Sequence, residues 1–241
     1  KADTMAGLAV RTAAERRAYE QAYAAEVEYF DRWLGALIED LRNADLWDDS
    51  IIVFWSDHGE EFWDHGGWEH GHTLYNEQVH VPLMIRLPGE ADGRTVSEPV
   101  SLLDVMPTVL EMCRLRPDPQ MRGRSLDALM EPGAGEIGDF ELFLEACVWG
   151  PVRKGVIGER FKLIHDLSDD TYELYDLADD PGEQHNLAGK IDTPEITHLR
   201  ERLATFSETS LAAMAARAGA QAGAGMSPEV RERLKDMGYI Q

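Results

Sequence analysis

The sequence predicts an α/β protein: part of a mostly parallel sheet flanked by helices, then a small C-terminal antiparallel subdomain with helices of its own. Two patterns carry that expectation. Ile51–Trp55 is an unbroken run of five apolar residues, β-branched and aromatic, with an amphipathic helix before it. Such a run fits a strand buried on both faces, as inside a parallel sheet. From Glu141 to Leu177, short strand-like segments follow one another with Gly and Asp turns between them. That spacing fits a small antiparallel sheet.

Residues 1–14 have no clear period. From Glu15 to Asn43, apolar residues fall at Tyr19, Tyr23, Val27, Phe30, Leu34, Leu37, Ile38 and Leu41, in steps mostly of three and four. These predict an amphipathic helix. Asp45 to Ser50 connects it to the Ile51 strand. Val81–Leu87 is a second apolar run, with Pro82 near its start and Pro88-Gly89 as the turn that ends it. Val96–Val100 reads as a short extended piece. Leu102–Met112 is a helix with Ser101 as N-cap, Asp104 in the first turn and Pro107 in or near that turn. Arg114–Gly138 is loop with a short helix near Leu126–Met130.

Beyond that point the strands are Glu141–Trp149, Val152–Ile157, Phe161–His165 and Tyr172–Leu177. Pro194–Ala218 is a helix, and Gly219–Gly225 an Ala/Gly linker. A final helix opens with Ser227 as N-cap and Pro228 at its first position. The expected division is residues 1–138 for the α/β part, 139–190 for the antiparallel subdomain and 191–241 for a helical tail.

The net charge of −22, from 45 acidic against 23 basic residues, argues against nucleic acid as a partner. The two cysteines, Cys113 and Cys147, are too few for a disulfide framework. No run approaches the roughly 18 apolar residues of a transmembrane helix. The chain starts at Lys1 without an initiator Met, as the back part of a longer protein would.

The chemistry is concentrated after the Ile51 strand. Ser56-Asp57-His58-Gly59-Glu60 places a carboxylate and an imidazole side by side where the strand ends. In open α/β sheets, ligands bind beyond the carboxyl ends of strands. His65, His70 and His72 follow on a loop with Gly66, Gly67 and Gly71. Asp57, His58, His70 and His72 are metal ligands and acid/base groups by type, gathered within sixteen residues. A structural zinc site is the competing reading, although the loop has no cysteine. His65 reads as a loop hydrogen-bonder, Glu60 and Glu61 as solvated or structural, and His80 as a sheet histidine. Lys162 reads as a surface or interdomain contact. Trp55, Trp63 and Trp68 belong either to the core or to a substrate entrance.

Several stretches together resemble the sulfatase family, within the alkaline-phosphatase-like superfamily. They are Leu46–Glu60 (LWDDSIIVFWSDHGE), His70–Glu77 (HGHTLYNE), Val81–Gly89 (VPLMIRLPG) and Val100–Thr108 (VSLLDVMPT). Arg122–Leu126 (RGRSL), Arg160–Ile164 (RFKLI), Glu173–Leu177, Asp180–Glu183, Asn186-Leu187 and the ending Leu234–Ile240 continue the likeness. The resemblance implies a sulfuric ester hydrolase of alkaline-phosphatase-like fold acting on a small-molecule or glycan sulfate ester. It implies one divalent cation, calcium first, with zinc or manganese as alternatives. Asp57 and His58 match the later pair of metal ligands. Where such proteins carry a basic group, usually Lys, that binds the sulfate or helps the leaving oxygen, this sequence offers His72 or His70.

The family's nucleophile is a formylglycine made from C/S-x-P-x-R, and its other metal ligands are an early Asp-Asp pair. Neither is in this sequence. The expectation is a C-terminal portion, inactive alone, whose N-terminal part is missing. Two other readings stay open: a phosphoester hydrolase or phosphotransferase of the same superfamily, and a non-catalytic module that binds metal or anion.

Overall fold

The structure is a computed structural model that describes residues 12–90, 92–130, 141–146 and 151–221. The final helix expected from Ser227, the end of the linker and the Cys147–Trp149 part of a strand lie outside the described residues. The chain forms two compact units. One is Lys1–His70 with Tyr75–Leu142, and the other is Gly71–Leu74 with Phe143–Gln241.

The first unit opens with helix α1 (Ala13–Asn43). Thr12 and Glu15 close a capping box at its start: the Glu15 N–H donates to Thr12 Oγ1 at 3.3 Å and the Thr12 N–H to Glu15 Oε2 at 2.8 Å. At its end Asp45 adopts φ 55°, and the N–H groups of Asp45 and Leu46 return to the carbonyls of Arg42 and Leu41. That is a Schellman stop, with Asp in the left-handed position usually held by Gly. The expected stripe is present but only partly covered. Phe30 lies 6.0 Å from Phe54 and Tyr23 5.1 Å from Phe62, ring centre to ring centre. Val27, Trp33 and Leu37 are exposed.

Strand β1 (Ile52–Trp55) corrects the expectation drawn from its composition. Its residues are half-buried, and Trp55 is exposed. Hairpin β2 (Glu61–Phe62) and β3 (Trp68–Glu69) follows, then the one-turn helix α2 (Asn76–Val79) and strand β4 (Leu83–Arg86). β1 pairs with β4 antiparallel, Ile52 opposite Arg86 and Trp55 opposite Leu83. The described strands of this unit therefore contain no parallel pair. The link from β1 to β4 holds a hairpin and a single helical turn and returns the chain beside its own strand. A parallel neighbour needs a crossover connection instead. Val96–Val100 forms no strand.

Ser101 caps a 3₁₀ turn (Leu102–Asp104) that runs into α3 (Val105–Met112). Buried Asp104 accepts from the N–H groups of Ser101 and Arg124, while Thr108 Oγ1 donates to Asp104 O and accepts from Leu126 N. These bonds fasten the Arg122–Leu126 loop to the helix and lead into α4 (Asp127–Met130). Gly123 has no alternative there, because a Cβ would sit 1.9 Å from Leu103 O.

The second unit is a four-stranded sheet in the order β5 (Leu142–Ala146), β6 (Arg153–Ile157), β7 (Phe161–Asp166), β8 (Thr171–Asp176). The β6–β7 and β7–β8 pairs are antiparallel. Helix α5 (Pro194–Gln221) is part of this unit. Its Ile196, Leu199 and Leu203 share one core with Val156, Phe161, Leu163 and Leu174 of the sheet.

Lys162 is the clearest reversal. It is fully buried, with Nζ 2.7 Å from Glu183 Oε1, itself fully buried. Lys154 is buried too, held by Glu145 and by Ser210 Oγ at 2.9 Å. Arg160 grips Asp176 through two guanidinium nitrogens, at 2.5 and 2.9 Å, and those hydrogen bonds hold the Asp176 carboxyl below the usual carboxylate range.

Two outcomes follow for stability. Removing one partner of a buried ion pair leaves an uncompensated charge, so Lys162→Ala should cost about 3–5 kcal/mol. Lys162→Met paired with Glu183→Leu should cost much less; equal losses in chemical denaturation would contradict the pairing. Asp176 binds protons less readily folded than unfolded. Its contribution is therefore present above the unfolded value of about 3.9 and lost as pH falls through the lower folded value. Melting temperature should thus hold from neutral pH to about 5 and drop below about 4. Asp176→Asn should be less stable at neutral pH and show a shallower acid drop.

Candidate functional site

The site starts where β1 runs out. Trp55 ends the strand, and the Ser56 N–H still donates to Pro82 O at 3.3 Å. Ser56 Oγ then donates to His58 O at 2.7 Å, and the His58 N–H donates to Asp57 Oδ1 at 3.1 Å. These local bonds bend the chain tightly and turn Asp57 and His58 outward: their side chains are 77% and 43% exposed.

Gly59 fastens the bend to α2. Its N–H donates to Gln78 O at 2.8 Å, and a Cβ on it would lie 2.0 Å from Glu77 O. Only a residue without a side chain fits that approach. Gln78 is held in turn. Its Nε2 donates to Glu61 Oε2 at 3.2 Å, and Glu61 Oε1 accepts from Gly67 N at 2.7 Å. Glu61 is completely buried. A buried carboxylate is tolerated only with such donors, so this one ties the β2–β3 hairpin to the helix under His58.

The His58 ring is oriented by its own backbone. Nδ1 lies 2.8 Å from Gly59 O. Facing a carbonyl, Nδ1 carries the proton, and Nε2 of the neutral ring is then the lone pair. Nε2 sits 3.8 Å from Asp57 Oδ1. A carboxylate oxygen and an imidazole nitrogen at that separation are close enough for one cation to touch both. A second hydrogen bond on the far ring nitrogen is the usual support of a metal-binding histidine. The two side chains are therefore compatible in type and spacing with a divalent cation. Among the described residues no group of three or more His, Cys, Asp or Glu side chains gathers around one point. A closed structural zinc site is thus not formed by them.

His70 stacks on His58, rings 3.8 Å apart and 25° from parallel, and its Nδ1 lies 3.1 Å from Glu60 Oε2. Glu60 thus has a partner in the site rather than only solvent. His65 is turned away into a contact of its own: Nδ1 is 2.6 Å from Glu77 Oε1, and the ring stacks on Tyr75 at 3.7 Å. His80 is exposed at the end of α2, outside any strand. Trp63 and Trp68 stack 5.9 Å apart, with Tyr19 of α1 edge-on to both. The structure thus brings Asp57, His58 and His70 together. His72 belongs to the second unit, where its carbonyl accepts from Arg153 Nη1 at 2.8 Å.

Family models match at residues 8–114 (Sulfatase) and 64–209 (N-sulphoglucosamine sulphohydrolase, C-terminal), and the chain belongs to the sulfatase family. It is 30% identical over 183 residues to an N-acetylglucosamine-6-O-sulfatase of Bacteroides thetaiotaomicron, covering 72% of this chain and 33% of that one. Among solved structures it is similar to a protein in complex with its substrate D-glucosamine-2-N,6-O-disulfate. That match has TM-score 0.61 and 26% identity, over 76% of this chain and 38% of the other. It is also similar to a phosphonate monoester hydrolase of Silicibacter pomeroyi, with TM-score 0.58 and 27% identity, over 75% of this chain and 38% of that one. The chain spans about a third of the length of curated relatives such as the N-acetylglucosamine-6-O-sulfatase (32% or 33% for three of them). Sulfatases generally use a divalent metal.

Of the two readings of Glu61, solvated or structural, the structure bears out the second; Gln78 was not legible, because an amide looks polar and solvated until the loop closes over it. The signal available was Gly59, whose place leaves no room for a Cβ against the Glu77 backbone. Gly59→Ala should therefore destabilise by about 1–3 kcal/mol through overpacking against α2. An unchanged thermal midpoint for that variant would contradict the close approach.

Proposed function

We propose that this chain is the C-terminal part of a sulfuric ester hydrolase that removes sulfate from a small molecule or glycan. Asp57 and His58 are two ligands of its divalent cation, and His72 and His70 act on the sulfate ester. The observation that carries this is the outward pair at the end of β1: a carboxylate oxygen 3.8 Å from an imidazole nitrogen whose ring is already oriented by Gly59 O. The carboxylate suits calcium or manganese and the imidazole suits zinc, with calcium the first choice. When bound, the cation neutralises charge on the sulfate oxygens. Asp57 brings the negative charge that holds it. His58 presents Nε2, its Nδ1 side being turned to Gly59 O. His70, stacked on His58 and supported by Glu60, and His72 are the proton-carrying groups for the departing alcohol.

The remaining ligands and the nucleophile belong to an N-terminal part that this chain does not include. Several large apolar side chains support that reading. Phe30, Trp33 and Leu37 on α1, Trp55 on β1 and Met84 on β4 are between 49% and 60% exposed, as at a surface that more polypeptide covers. The likeness to a structure holding a disulfated glucosamine supports a glycan substrate. The likeness to a phosphonate monoester hydrolase keeps phosphoester chemistry as a second reading.

The test is a paired assay. The 241-residue chain alone should hydrolyse sulfate esters no faster than a buffer blank. The full-length polypeptide should be active, and Asp57→Ala or His58→Ala in it should lower turnover by at least about 100-fold and weaken calcium binding measured by calorimetry. Turnover by the short chain would sink the fragment reading. Preference for phosphate or phosphonate esters would move the assignment to the second reading.

A further inference from the structure

The segment Gly71–Leu74 comes from the loop that carries the candidate histidines, yet it packs with the C-terminal sheet. Two of its contacts are made with β6. Leu74 is buried, its Cδ1 lying 3.4 Å from where a Cβ on Gly155 would stand. Two residues away, Arg153 Nη1 donates to the carbonyl of His72 at 2.8 Å, across 81 positions of sequence.

Arg153 is itself aimed. Its Nε donates to Asp166 Oδ2 at 3.1 Å, directly across the β6–β7 ladder. The other carboxylate oxygen, Asp166 Oδ1, accepts from Ser168 N at 2.9 Å, in the turn after β7. The carboxylate is thus fixed by the sheet, and the planar guanidinium is fixed by the carboxylate. Its remaining nitrogens then point in one direction. Both side chains are largely buried, 22% and 11% exposed, so water screens the pair little. Burial works against the Asp166 charge, but the hydrogen bonds from Ser168 and the neighbouring Arg153 outweigh it and hold the carboxyl below its usual range.

We propose that Arg153 and Asp166 are a positioning pair: they set the backbone of His72, and so decide where its imidazole meets the sulfate ester. The proposal rests on the reading of His72 as a substrate-contacting group. It gives the C-terminal unit a part in the reaction without any of its sheet residues touching substrate. A histidine held only by a glycine-flanked loop samples many orientations. One whose carbonyl is bonded to a fixed guanidinium has lost most of that freedom before substrate arrives.

The experiment uses the full-length polypeptide with four variants: His72→Ala, Arg153→Ala, Asp166→Asn, and the double variant Arg153→Ala with His72→Ala. Turnover, KM and hydrogen exchange at the amides of Gly71–Leu74 are measured on each. His72→Ala should lower kcat about 100-fold. Arg153→Ala should lower kcat about 10- to 100-fold with KM within about threefold, and should speed exchange at Gly71–Leu74 about 10-fold or more. Asp166→Asn should shift all three the same way, less strongly. The double variant should be no slower than His72→Ala, because a misplaced residue that has been removed cannot be misplaced again. Fully additive losses, or an Arg153→Ala enzyme with normal kcat and normal exchange beside an impaired His72→Ala enzyme, overturn the positioning role alone. Normal turnover in His72→Ala overturns the reading of His72 itself.

Discussion

A buried carboxylate governs the site. Glu61 has no exposure to water, and Gly67 N and the Gln78 amide both donate to its carboxylate. Those two donors come from opposite sides of the loop. Satisfying Glu61 therefore closes the β2–β3 hairpin and fixes α2 at the same time. Gln78, once fixed, offers its carbonyl to Gly59 N. The bend that carries Asp57 and His58 is thus held from beneath by a chain of bonds that ends on one acid.

The same logic recurs in the second unit with ion pairs instead of a lone acid. Lys162 with Glu183, Lys154 with Glu145, and Arg153 with Asp166 all place charge inside or at the edge of a β-sheet core. Such pairs add little net stability over apolar residues, but removing one partner leaves a buried charge uncompensated. The carbonyl of His72 is bonded to Arg153, a member of one such pair.

Elements were legible where a local pattern was complete. The α1 stripe, the Ser101 cap before α3 and the strands β6 to β8 were each readable, because caps and periodicity act over a few residues. The Ile51 run misled on pairing. A continuous apolar strand does not say which strand lies beside it, and here the described neighbour is antiparallel β4 and the strand is only half-buried. Lys162 misled for a related reason. Alternation placed it opposite Phe161 and Leu163, but the face opposite was also covered, with Glu183 in place to receive the charge.

The sequence by itself determined the family and showed where donor side chains crowd together. Asp57, His58, His70 and His72 are donor types crowded into sixteen positions, and covalent order alone makes that visible. Only the tertiary structure decided how those residues are grouped. It stacked His70 on His58, drew His65 away to Glu77 and gave His72 to the sheet of the second unit. The reason is physical. Each grouping depends on a partner 10 to 81 positions away, and such a partner is chosen by which buried charges and carbonyls still need a hydrogen bond once the chain has folded.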